Sequence, residues 1–170
     1  LFRSRDPASG KNEVMASGLN NPMNVAIDAS GNIYVPCRNA KTVFKFDAES
    51  FEKSVFAQIP ADGPAFIGFD PKGNMLVSVH NGFKLISIDA EGNQTVILGT
   101  GEKSDELQDG EGDPLAATVR SCLGFDFAPD GTLYVGDSGY HCVRKLTPDA
   151  NGDYSKGKVE TVVGGTKGYL

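Results

Sequence analysis

Two histidines, His80 and His141, are the side chains of this sequence best suited to bind a metal ion or move a proton. Imidazole nitrogens are common zinc ligands, but a zinc site needs three or four nitrogen, sulfur or oxygen ligands. Two histidines in separate segments fall short of that number. The favoured interpretation of His141 is that it packs against its loop and hydrogen-bonds it, and His80 lies in the corresponding loop of the second unit.

Carboxylates alternate along one glycine-rich stretch, where Asp109, Glu111 and Asp113 follow Asp105. Such a loop can wrap a calcium ion, because hard cations prefer several oxygen ligands. The stretch lacks the spacing and the distal glutamate of an EF-hand loop. An exposed acidic turn is the default interpretation, with Asp109, Glu111 and Asp113 as weak calcium candidates and no other cofactor predicted.

Ser138 stands beside Asp137 and near His141, which are the residue types of a catalytic triad. A triad is defined by geometry rather than by nearness in sequence. The better explanation is that Asp137 and Ser138 cap a hairpin by bonding nearby backbone amides. Nucleophilic catalysis is therefore not predicted.

The elements that position these residues come from an internal repeat over residues 25–35, 67–77 and 125–135. Each segment alternates apolar residues, passes through a turn that ends in Gly31, Gly73 or Gly131, and alternates again. This pattern is typical of two strands joined by a tight turn, because glycine supplies the positive φ that the turn needs. A third and a fourth strand follow each pair.

Four antiparallel strands in units of about forty residues predict an all-β fold, a β-propeller with about three four-stranded blades present. The predicted division is an outer strand of a preceding blade at 1–17, blades at 18–59, 60–98 and 122–164, a long inter-blade loop at 99–121, and a link to the next blade at 165–170. Six blades would match twice this content. Because exposed sheet edges are avoided in natural proteins, either missing blades or a second copy is needed to close the ring, and we favour missing chain.

The composition argues against two classes of partner, nucleic acids and membranes. The net charge is −6, and the 16 basic residues are spread along the chain without forming a cluster, whereas nucleic-acid binding relies on clustered Lys and Arg. No apolar run approaches the ~20 residues that span a bilayer. Cys37, Cys122 and Cys142 have β-branched or apolar neighbours and are expected to be reduced core thiols. We predict no nucleic-acid partner and no membrane span.

Residues 128–148 resemble an NHL repeat, whose pattern places an Asp after Tyr-Val-x, then a short polar loop, a His and Val-Arg-Lys. Asp137 and His141 occupy those positions. The first blade departs with Cys37 and Lys41, and the second with Val79 and Phe83. The resemblance therefore covers 14–168 at the level of fold and is specific in the third blade.

The resemblance implies a scaffold of mixed function, since NHL propellers bind protein or RNA and related six-bladed propellers include lactonases and an amidating lyase. Residues 22–35 are similar to blades of the gluconolactonase family, in which an Asn or Asp after the strand-opening Pro binds a central cation. Here Met23, Ala65 and Leu123 hold that position and offer no side-chain oxygen. A metal-dependent hydrolase or lyase, with its ligands in blades not present here, remains the alternative function.

We favour a non-enzymatic recognition module that binds a protein or a glycan on its loop face. Propeller linkers and the loops between second and third strands gather at one end, where aromatic and amide side chains can hold a ligand. The candidate ligand-binding residues are Arg38, Asn39, Phe66, His80, Asn81, Phe83, Tyr140 and His141. Asn39 and Asn81 can instead fill positive-φ positions, and Phe66 can fill a blade core. The Gly-Asn and Asp-Gly turns with Ala-rich linkers resemble those of bacterial surface propellers more than animal ones, and this resemblance implies an extracytoplasmic location.

Overall fold

The chain folds as a series of antiparallel four-stranded sheets in a computed structural model that describes residues 2–5, 8–60 and 63–165. Within those residues there is no α-helix, and the 3-10 turns are His80–Gly82, Gly110–Gly112 and Tyr154–Lys156. No helix of the described residues is long and apolar enough to cross a membrane. The all-β propeller architecture predicted from the repeat is confirmed.

Each blade is a meander in which sequence order equals spatial order. Blade 1 contains β3 (Ala26–Ile27), β4 (Ile33–Cys37), β5 (Thr42–Phe46) and β6 (Lys53–Gln58). Blade 2 contains β7 (Pro64–Phe69), β8 (Met75–Val79), β9 (Lys84–Ile88) and β10 (Gln94–Leu98). Blade 3 contains β11 (Cys122–Phe127), β12 (Leu133–Asp137), β13 (Cys142–Thr147) and β14 (Lys158–Gly164).

A two-stranded sheet precedes blade 1. It pairs β1 (Phe2–Arg5) with β2 (Asn12–Ala16) in antiparallel register. The sequence pattern predicted a single strand in this region, since the short segment before β2 carries little alternation. The structure therefore has a pair of strands beside blade 1.

The tight turns between first and second strands have the conformation that their glycines predict. Gly31, Gly73 and Gly131 have φ angles of 84°, 88° and 83°. This left-handed region is open to glycine at no steric cost, whereas a Cβ is disfavoured there. The glycine thus fixes the same bend in every blade.

An Asp four residues before an Asn completes two of these turns. The Asp28 carboxylate accepts hydrogen bonds from the backbone N–H of Asn32 at 2.9 Å and from its side-chain amide at 2.8 Å. Asp70 accepts the same pair from Asn74 at 2.8 and 2.9 Å. These bonds satisfy donors that the turn would otherwise leave open. We call this end of the blades the turn face and the opposite end the loop face.

The hydrophobic core lies between blades rather than inside one sheet. One cluster joins blades 1 and 2, and a second joins blades 2 and 3. Leu76, Leu85 and Leu98 of blade 2 are fully buried in the second cluster. Full burial of a leucine side chain contributes about 1.5–3 kcal/mol. Blade packing is therefore the main source of stability, and it fixes the positions of the loops at both ends.

Candidate functional site

The loop between second and third strands has the same backbone form in all three blades. Its last residue is left-handed, with φ of 53° at Lys41, 50° at Phe83 and 54° at His141. The carbonyl of Lys41 accepts the N–H of Ile59 at 2.8 Å, and that of His141 accepts the N–H of Gly165 at 3.1 Å. The strained residue thus aims its carbonyl at the linker that leaves the blade.

Asn39 and Asn81 do not occupy these positive-φ positions, so that structural alternative for the two asparagines is wrong. Both side chains are exposed. The Asn39 Oδ1 accepts a hydrogen bond of 3.3 Å from the side-chain amide of Asn21. Their amides are therefore available on the surface of the loop face.

Arg38, His80 and Asn81 form one hydrogen-bonded group, which we call the polar array. The Asn81 Oδ1 lies 3.3 Å from Nη2 of Arg38 and 3.0 Å from Nδ1 of His80. On its other side, Nε2 of His80 lies 3.2 Å from the hydroxyl oxygen of Ser121. The array thus connects the loops of blades 1 and 2 with the linker into blade 3.

The donors and acceptors of the array are fixed by the shared Asn81 oxygen. Because an amide oxygen only accepts, Nδ1 of His80 is the donor to it, and Nε2 faces the Ser121 hydroxyl. Arg38 donates to the same oxygen and makes no ion pair among the residues that the structure describes. Asn81 keeps its amide N–H₂ group, and Arg38 keeps further N–H groups, for an external acceptor.

The aromatic candidates are placed differently from the amides. Phe66 packs edge-on against Phe125 at a centroid distance of 5.0 Å, so it lies at the seam between blades 2 and 3. Phe83 is half-buried. Tyr140 differs from the expectation of a surface contact, because it is buried and its hydroxyl donates to the Ser104 carbonyl at 2.9 Å. The long linker covers Tyr140 and removes it from the loop face.

His141 is exposed and has no side-chain hydrogen bond among the described residues, so the expectation that its ring hydrogen-bonds the loop is wrong. It borders a depression of about 430 Å³ whose wall includes Arg120 and Asp105, paired at 3.2 Å. The depression is separate from the polar array, since the linker to blade 3 lies between them. The structure therefore brings together Arg38, His80 and Asn81 and leaves His141 apart.

Asp137 is a structural residue, as its hairpin-cap interpretation predicted. Its buried carboxylate accepts the backbone N–H groups of Arg120 at 2.9 Å, Ser121 at 2.8 Å and Gly139 at 3.2 Å. Ser138 donates through its hydroxyl to the Ser121 carbonyl at 3.2 Å. Both residues tie the blade 3 hairpin to the segment that enters the blade, and the Ser138 hydroxyl bonds that segment rather than the His141 ring.

Two of the three carboxylates in the acidic stretch of the linker accept hydrogen bonds from the protein. Asp109 accepts the backbone N–H of Thr161 at 2.7 Å and its hydroxyl at 2.9 Å. Asp113 accepts the N–H of Leu115 at 2.9 Å, and Glu111 is exposed. Within the described residues, no three His, Cys, Asp or Glu side chains lie close enough together to hold a metal ion.

Arg144 is a buried cation that the sequence reasoning did not single out. Its Nη1 lies 3.4 Å from the Gln108 carbonyl and 3.6 Å from Oδ1 of Asp109, and its guanidinium carbon lies 5.7 Å from the centre of the Tyr140 ring. Its Nε and Nη2 have no acceptor among the described residues. The Val-Arg-Lys string is the signal that marks it, but its burial depends on the path of the linker.

The three cysteines are buried and unpaired, as expected of core thiols. Burial raises the pKa of the Cys37, Cys122 and Cys142 thiols. A thiol held in its neutral form is a poor nucleophile and a poor metal ligand. These residues therefore fill space between blades.

No family model and no curated protein matches the sequence. The fold is similar to that of an auxiliary nutrient binding protein from Bacteroides thetaiotaomicron, with a TM-score of 0.71 and 23% identity over 95% of this chain and 41% of that chain. Virginiamycin B lyase from Staphylococcus aureus is similar with a TM-score of 0.65 and 15% identity, over 97% of this chain and 49% of that chain. A gluconolactonase from Xanthomonas campestris is similar with a TM-score of 0.64 and 15% identity, over 79% of this chain and 46% of that chain.

These identities show the fold alone, that of four-stranded propeller blades. The chain spans less than half the length of each of these three proteins. These three proteins include a binding protein and two different enzymes, so the shared fold does not select one function.

Proposed function

We propose that the protein is a recognition module that binds a glycan on its loop face, within an NHL-type propeller ring of six blades at an extracytoplasmic location. The observation that carries this proposal is the polar array of Arg38, His80 and Asn81. The free N–H donors of the array match the hydroxyl oxygens of a sugar, each of which can accept hydrogen bonds. The binding protein among the structural neighbours adds support.

Two further features favour a glycan over a protein as the ligand. The amides of Asn21 and Asn39 continue the row of donors and acceptors beyond the array. The aromatic residues that anchor protein interfaces are here packed inward, as with Phe66 and Tyr140. A surface of amides and a guanidinium binds through hydrogen bonds, which suits a small hydrophilic ligand.

Calorimetric titration with a panel of neutral and uronate-containing oligosaccharides tests this proposal. Arg38→Ala and Asn81→Ala are each expected to raise Kd about tenfold, because one or two hydrogen bonds of about 1 kcal/mol are lost. Asn81 is exposed and Arg38 is half-buried, so the free energy of unfolding should change by less than about 0.5 kcal/mol in Asn81→Ala and by about 1 kcal/mol at most in Arg38→Ala.

Glu49→Ala is the matched control, since Glu49 is exposed on the turn face. An unchanged Kd in both loop-face variants would contradict the proposal. Failure of every oligosaccharide to bind, together with capture of a protein that the same substitutions weaken, would replace the glycan by a protein ligand.

A further inference from the structure

The loops and linkers that surround the polar array carry positive charge. Their described residues are 18–22, 36–41, 59–60, 63–66, 79–84 and 118–122. The charged side chains of these segments are Arg38, Lys41, Lys84 and Arg120, and no Asp or Glu occurs in the ranges given. The chain as a whole has 22 acidic against 16 basic residues and a net charge of −6. The charge around the array is therefore opposite in sign to that of the whole chain.

Three of these cations have neutral hydrogen-bond partners or none. Among the described residues, Arg38, Lys41 and Lys84 have no carboxylate within ion-pair distance. The Lys41 Nζ donates to the Pro60 carbonyl at 3.1 Å, and Nη2 of Arg38 donates to the Asn81 amide oxygen at 3.3 Å. Because Arg38 is half-buried, its charge is partly desolvated, and a neutral acceptor offsets that cost less fully than a carboxylate would.

Carboxylates of the long linker bond groups on the blade 3 side of the loop face. Asp105 pairs with Arg120 at 3.2 Å, and Asp109 accepts the N–H of Thr161 at 2.7 Å. Asp105 and Arg120 border the depression beside His141, which is separate from the array. The pair accounts for one of the four cations and leaves the other three uncompensated by the described part of the linker.

The array presents its donors in a form that suits a carboxylate. The shared Asn81 oxygen lies 3.3 Å from Nη2 of Arg38 and 3.0 Å from Nδ1 of His80. This arrangement holds a guanidinium and an amide N–H₂ group close together, each with N–H groups to spare. A carboxylate accepts two such donors at once, and charge-assisted hydrogen bonds are about twice as strong as neutral ones. A sugar hydroxyl can accept from the same donors but brings no charge.

We infer that the ligand of the polar array is an acidic glycan, whose sugar units carry carboxylates, and that Arg38 selects it over a neutral glycan of the same size. The inference rests on the glycan binding proposed above and adds the charge of the ligand. A carboxylate is the anion that fits, because its two oxygens lie in one plane, as do the N–H groups of the guanidinium. Lys41 and Lys84 add a positive field that attracts such a ligand.

The test uses matched pairs of uronate oligosaccharides, made of galacturonate, glucuronate or mannuronate, each compared with its own methyl ester. Esterification removes the charge and keeps the sugar backbone. By calorimetry, the acid form of the pair that binds best should bind at least about tenfold more tightly than its ester, because a charge-assisted hydrogen bond replaces a neutral one. Raising salt from about 0.05 M to about 0.5 M should weaken only the acid form, since salt screens exposed charges.

Arg38→Gln separates the charge of the array from its hydrogen bonds, because glutamine keeps a planar N–H₂ donor. This variant should bind the acid form about tenfold more weakly and the ester less than about twofold more weakly, so that the preference disappears. Asn81→Ala should weaken both forms. Lys158→Gln is the matched control, since Lys158 is an exposed cation opposite Thr147, at the turn-face end of blade 3, and neither Kd should change.

Equal Kd values for acid and ester would overturn this inference and leave glycan binding intact. A preference for the acid that survives in Arg38→Gln would also overturn it, because the selecting charge would then lie elsewhere. Failure of every oligosaccharide, neutral or acidic, would overturn both this inference and the proposed function. The preference and salt dependence of the unsubstituted protein decide the matter if Arg38→Gln does not fold.

Discussion

Blade 3 and the two blades before it secure their loop ends by different means. In blade 3 the Asp137 carboxylate gathers three backbone N–H groups from the entering strand and the hairpin. In blade 2 the hydroxyl of Ser78 accepts one, the N–H of Phe66, at 2.9 Å. Blade 1 has no carboxylate or hydroxyl at the equivalent position, which is Cys37, and there the N–H of Arg38 donates to the Asn21 carbonyl at 2.9 Å.

The difference shows how equivalent positions of one repeat can hold a loop in place in one blade and present polar groups to a ligand in another. In blade 3, where a buried carboxylate holds the loop, the hydroxyl of the neighbouring residue Ser138 makes another hydrogen bond between the same two segments. Where backbone or a single hydroxyl suffices, the equivalent residues Arg38 and His80 are left to build the polar array. Departure from the repeat pattern thus coincides with polar groups that face outward.

Removal of the carboxylate should have the largest effect. Asp137→Ala leaves three backbone donors without their acceptor and should lower the free energy of unfolding by about 2–4 kcal/mol. Ser78→Ala removes one acceptor and should cost about 1 kcal/mol. Urea unfolding of both variants measures the two losses in the free energy of unfolding, which can then be compared. Equal losses would mean that the two loop ends are secured alike.

The turn face should show no such difference between blades. Gly73→Ala places a Cβ at a φ of 88° with no atom within 4 Å, so only backbone strain of about 1 kcal/mol is expected. Gly131→Ala should cost the same, since its surroundings are equally open. Gly124→Ala is the control, because Gly124 has open space and no positive φ. Thermal unfolding should show a loss of about 2–4 °C in the first two variants and none in the control.

Acid should produce the smallest effect, and it should come from the turn face. The Asn93 amide holds the pKa of Asp89 below its usual value, and the Lys156 ammonium lowers the pKa of Asp153 to about 2. A carboxyl whose pKa is lower in the folded than in the unfolded state stabilises the folded state at pH values above the unfolded pKa of about 3.9. That stabilisation is lost as the pH falls through the folded pKa.

The melting temperature should therefore be level with respect to these groups from about pH 5 to 7 and decline below about pH 4. Asp89→Asn is expected to flatten that acid decline slightly, because one of the contributing carboxylates is absent. A decline of the same size and midpoint in this variant would exclude Asp89 as a contributor.

Much of the fold follows from local pattern. Alternation marks the strands, and Gly31, Gly73 and Gly131 mark the turns, because strand faces and positive φ depend on residues close in sequence. The roles of Tyr140 and Arg144 were not predictable in this way. Both are buried by the linker, through Ser104 and Gln108, which lie 36 residues away along the chain. Sequence periodicity carries no information about the path of such an irregular segment.

The contact between Asp109 and Thr161 has a consequence for how the molecule opens. These residues lie 52 positions apart, and the contact joins the linker to the outermost strand of blade 3. Fraying of that strand must therefore break a charged hydrogen bond to the linker. Local opening of the linker and of β14 should occur as one cooperative event, so that a protease cut in the linker would also release the outer edge of the blade.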